Sequence, residues 1–110
     1  MKAFIEELLG VADKYGLRVS HIDATNVTLM ARLELFPELF IQVYRNSKKE
    51  KLNLALVLGN HRIYGLDSEG GFIHEHPIED PLSHVPCEAE LEIEKFIQNC
   101  LTFLTEKDLL

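Results

Sequence analysis

No apolar run in this chain approaches the ~20 residues that a helix needs to cross a bilayer, which excludes a helical membrane span. Glu6 and Glu7 break the opening apolar stretch where a signal peptide needs it uninterrupted, so the expected location is the cytosol, with no membrane partner. Cysteine is scarce. Cys87 and Cys100 are far apart and unpatterned, which fits one buried thiol and one loop thiol rather than a disulfide framework or a cysteine metal site. Positive charge is also short: 11 Lys and Arg stand against 18 Asp and Glu, a net charge of −7. A protein that neutralises many phosphates presents a basic face, so any action on nucleic acid here needs a small local site or a basic partner. The basic cluster from Arg45 to Lys51 reads as a solvated hairpin tip. Familiar signatures are missing too: no phosphate-cradling glycine loop, no Gly-x-Ser-x-Gly elbow, no Cys-x-x-Cys pair and no His-Glu-x-x-His helix.

What is present suits one ordinary folded domain over residues 1–110, with 46% apolar and 26% charged residues arguing against extensive disorder. Phe4, Leu8, Val11, Ala12 and Tyr15 recur at intervals of three and four, which predicts an amphipathic helix over residues 2–15, stopped by Gly16. Leu17 to Asp23 reads as a first strand, with Leu17, Val19 and His21 on one side. From Thr28 to Leu35, Leu29, Ala31, Leu33 and Leu35 share a face opposite polar or flexible neighbours, the pattern of an antiparallel sheet with one face in the core. Leu39 to Arg45 returns after a proline turn. Leu52 to Leu58 is apolar on both faces and reads as a central strand. Gly59-Asn60 and the stretch from Asp67 to Gly71 are hairpin signals, bounding strands over residues 61–66 and 71–76. A second amphipathic helix over residues 88–106 closes the chain, its glutamates complementing the helix dipole. The predicted fold class is α+β: an antiparallel meander sheet of about six strands with an N-terminal and a C-terminal helix.

Folding accounts least well for His74, His76 and His84, which stand close together among prolines and carboxylates. In an extended segment His74 and His76 project to one side, and the proline-interrupted turn that follows can return His84 towards them. Such a set can bind a divalent metal or move protons near neutral pH. Glu75 points away from the pair, and Asp80-Pro81 is a good turn former. On the preceding strand, alternation puts Arg62 and Tyr64 on a common face opposite Ile63. Beside the histidines they would complete a set for phosphodiester cleavage without a metal, imidazole moving protons and guanidinium steadying phosphorane charge.

The stretch from Tyr44 to His84, containing the run from Arg62 to Pro77 and then Asp80 to His84, resembles the TumE-type toxins of prokaryotic toxin–antitoxin pairs. The likeness covers most of the chain in layout and about 25 residues in motif: a Tyr/Asp-containing hairpin, a histidine-rich segment with prolines, then a final helix. Only His84 stands where that family tends to have a denser histidine run, and Tyr64 where it tends to have two aromatics. The resemblance implies a cytosolic toxin held by a cognate antitoxin and acting on RNA or translation. The residue pattern, rather than the resemblance, offers His74, His76, His84, Arg62 and Tyr64 as the catalytic set for such an activity. Two other readings stand beside it. One is a non-catalytic interaction protein or inactive relative, using a sheet edge to form a homodimer or to dock a partner. The other is a small metal-binding hydrolase with His74, His76 and His84 as ligands.

Overall fold

A computed structural model of the chain describes residues 1–70, 72–77 and 92–110, together with the backbone of residues 85–87. Helix α1 (Lys2–Lys14) leads into seven strands: β1 (Arg18–Ala24), β2 (Thr28–Phe36), β3 (Leu39–Asn46), β4 (Lys51–Leu58), β5 (His61–Glu69), β6 (Phe72–His76) and β7 (Val85–Cys87). Helix α2 (Ile93–Glu106) follows. The strands form one sheet in chain order, each antiparallel to the next. The α+β meander expected from the sequence is therefore the fold, with β7 as a short strand beyond the six anticipated. The strand apolar on both faces, β4, is the fourth of seven, and its central place explains its composition.

The period-two alternation does the sorting. Leu29, Ala31 and Leu33 of β2, Leu39, Ile41 and Val43 of β3, and Leu54 and Leu56 of β4 are all buried on one face. Phe4, Leu8 and Ala12 of α1 and Ile93, Phe96, Ile97, Cys100 and Leu104 of α2 join the same core, so both helices cover that face. Helix α1 stops as the sequence predicts. Gly16 takes a left-handed conformation (φ 67°), its N–H donates to the Asp13 carbonyl, and the Leu17 N–H donates to the Ala12 carbonyl. This pair of hydrogen bonds closes open carbonyls of the last turn, and Leu17 beyond it is buried in the core. The helices also meet through polar groups: Lys14 Nζ lies 2.6 Å from Glu94 Oε1, and Gln98 Nε2 donates to the Tyr15 hydroxyl at 2.7 Å. Helix α2 begins at Ile93, while residues 88–91, expected to belong to it, lie outside the described residues.

Two irregularities depart from strict alternation. In β1 the register shifts between Val19 and His21, and His21 is exposed rather than grouped with Leu17 and Val19. In β5 the shift falls between Arg62 and Tyr64, which pair with Val57 and Leu56. Both Ile63 and Tyr64 pack against the core, and the Tyr64 ring stacks on Phe96 with centroids 5.4 Å apart. The extra residue turns Arg62 to the opposite face, so Arg62 and Tyr64 do not share a face as alternation predicts.

Candidate acid/base site on the face opposite the helices

Past the β5 bulge, three cross-strand rows run over β4, β5 and β6 on the face away from the helices. They are Ala55–Gly65–His76, Asn53–Asp67–His74 and Lys51–Glu69–Phe72. Directly paired residues project to the same side of a sheet, so each row brings three side-chain positions together. His74 and His76 therefore lie on one face, as their spacing requires, while Glu75 pairs with Leu66 and faces the other way.

The two histidines have different surroundings. His76 is completely buried, the one buried polar side chain among the described residues. Its Nε2 stands 2.6 Å from Asp67 Oδ2. An ionised carboxylate can only accept, so Nε2 carries the hydrogen and donates it, which sets the tautomer of a neutral ring. Burying a polar ring costs free energy unless it is hydrogen-bonded, and the carboxylate supplies a charge-assisted bond. The Asp67 side chain, still 27% exposed, reaches the surface where the imidazole does not. His76 thus does not open into a hollow beside His74, and Asp67 is the end of the pair that meets solvent.

Gly65 makes this arrangement fit. A Cβ there would stand 3.1 Å from the Leu54 carbonyl oxygen, 3.3 Å from Arg62 Cδ and 3.5 Å from His76 Cβ. The absent side chain lets the Arg62 stem lie across β5 beside His76. A cleft of about 410 Å³ adjoins the pair, lined among others by Lys51, Asn53, Asp67, Glu69, Phe72 and His74. That volume falls in the range of small-molecule sites. Asn53 Oδ1 is buried and has no hydrogen-bond partner among the described residues. Phe72 is 74% exposed, an unusual position for a large aromatic ring.

The residues expected from the sequence are therefore distributed unequally. His74 lines the cleft, and His76 sits behind Asp67. Arg62 lies beside His76 over Gly65, and Tyr64 is on the helix side of the sheet against Phe96. His84 lies outside the described residues. Among the described residues no trio of His, Cys, Asp and Glu is placed to hold a metal ion. Sequence reading missed Asp67, because the run from Asp67 to Gly71 looks like a turn. Strand β5 instead continues to Glu69, and the turn starts at Gly70 (φ 59°). The available signal was the continued alternation of Gly65, Asp67 and Glu69.

No family model matches this chain, and neither a curated protein nor a solved structure matches it.

Proposed function

We propose that this protein is an RNA-directed toxin of the TumE type, checked in its cell by a cognate antitoxin, and that its chemistry is metal-free proton transfer in the cleft between Asp67 and His74. The observation that carries this reading is the hydrogen bond between fully buried His76 and Asp67, made beside a cleft that His74 also lines. Structural histidines are common, but this one orients a carboxylate that remains accessible. A carboxylate held by an imidazole, with a second imidazole on the neighbouring strand, is an acid and a base facing one space.

In the reaction envisaged, Asp67 takes the proton from a ribose 2′-hydroxyl as its oxygen attacks the adjacent phosphorus. Protonated His74 gives a proton to the departing 5′-oxygen, leaving a cyclic phosphate and a free hydroxyl end. His76 acts through Asp67 as a positioning residue. Lys51, on the cleft wall, is the cation suited to the developing phosphorane charge. Arg62 adds positive charge beside the buried pair. Expression of the chain without a partner should arrest growth and degrade RNA, and Asp67→Asn or His74→Ala should restore growth at equal protein level. Normal growth with intact RNA on expression of the native chain would contradict the proposal.

One observation favours a second reading, a non-catalytic interaction protein. Strand β1 is a sheet edge, largely exposed, with Ile22 48% accessible. Such an edge can pair with a strand from an antitoxin or a second copy of the chain. On this reading, an Asp67→Asn protein keeps every cellular effect of the native chain, whereas a proline at Ile22 abolishes partner capture.

A further inference from the structure

We infer that the cleft beside Asp67 takes a single unstacked guanine base of an RNA strand. The inference rests on the RNA-directed reading above and names the part of the substrate recognised. It starts from Phe72 and His74. They are two apart on β6, both line the cleft, and the Phe72 ring is 74% exposed. Alternate residues of a strand stand about 6.6–6.8 Å apart with side chains roughly perpendicular to the sheet. A base in a stack occupies about 3.4 Å, so this spacing admits one planar ring between two others. Exposed aromatic and imidazole rings are the usual stacking platforms for unpaired bases.

The wall beside that slot selects the base. Glu69 of β5 pairs directly with Phe72, so its carboxylate runs along the edge of a ring held there, while Asp67, bonded to His76 through Oδ2, keeps its other oxygen for the ribose 2′-hydroxyl. The two oxygens of the Glu69 carboxylate only accept hydrogen bonds. The wall therefore fits an edge carrying adjacent donors. Guanine offers N1–H and the N2 amino group side by side. Adenine and cytosine each set a ring-nitrogen acceptor next to their amino group, and uracil sets its single N–H between two carbonyls. Lys51, opposite Glu69, remains for a flanking phosphate. Recognition through a base edge rather than through many phosphates is consistent with a net charge of −7.

The test is titration of the full isotope-labelled chain with guanosine, adenosine, cytidine and uridine separately, followed by amide chemical shifts. Guanosine should move the amides of Asn53, Asp67, Glu69, Phe72 and His74 at concentrations where the other three do little. Phe72→Ala, at an exposed position that leaves the core intact, should weaken guanosine binding about tenfold. An equal response to all four nucleosides, a response elsewhere on the surface, or none at all would overturn the inference. Cleavage of oligonucleotides with and without one guanine separates this claim from the one beneath it. Cutting that ignores guanine overturns base selection and leaves the acid/base site standing. Guanosine binding in the cleft without any cutting supports base selection and removes the catalytic reading.

Discussion

Gly65 stands where the sheet leaves little room for a side chain, because three groups would meet one placed on it. The nearest is a backbone oxygen of the adjacent strand, at 3.1 Å, which cannot swing aside as a flexible side chain would. Gly65→Ala should therefore strain β4 and β5 and lower stability by about 1–3 kcal/mol, the usual cost of overpacking a close-packed site. Urea unfolding of the two proteins checks this, and equal midpoints would show that the strands can separate at no cost. Cys100 is a contrasting case. Burial in the core pushes its thiol well above the ordinary range, so it carries little of the reactive thiolate. In a Cys87→Ser background the remaining thiol should stay unreacted with a thiol reagent until denaturant unfolds the chain. Fast modification of the folded protein would show that α2 opens far more readily than its packing implies.

Between elements, the joint of α1 and α2 responds to pH in a way that can be signed. Glu94 is held below the ordinary carboxylate range first by its hydrogen bond from Lys14, and Lys14 is held above its ordinary range by the same contact. The Glu94 contribution is complete above the ordinary carboxylate range and is lost as pH falls through the lowered value. The Lys14 contribution is complete below the ordinary lysine range and is lost as pH rises through the raised value. Glu94→Gln should thus lower the melting temperature slightly between those limits. The difference should disappear in acid and shrink in high salt, since both groups reach solvent. A difference that persists in strong acid would point to packing rather than charge.

The same scale shows where the sequence was legible. Alternation from Thr28 to Leu35 and in Leu39 to Arg45 declares its buried face, because a one-residue slip would expose every leucine. The Gly16 stop and the central place of β4 can be read in the same way. The candidate site was only half legible. His74 and His76 announce themselves by type and spacing, yet nothing local shows that one ring is sealed and the other lines a cleft. That difference comes from the cross-strand register, which sets Gly65 opposite His76 and Asp67 opposite His74. The bulge at Ile63 was equally hidden, since a single extra residue reverses the side taken by Arg62 without altering composition. A turn-rich run from Asp67 to Gly71 then concealed the carboxylate itself.

At the scale of the whole molecule, helices cover one face of a seven-stranded sheet, and the rows with chemical content lie on the other. Acidic net charge and the small cleft beside Asp67 suit the proposed action at a single point on an RNA target rather than along a polyanion. The account depends on Asp67 being a working carboxylate that His76 holds in place, and purified protein tests this most directly. RNA cleavage should be measured for the native chain and for Asp67→Asn, with a chelator present throughout. The account predicts cleavage by the native chain that the chelator leaves intact, reduced at least about a hundredfold in the variant, as expected on loss of a general base. Equal cleavage by the two proteins, or no cleavage by either, would contradict it.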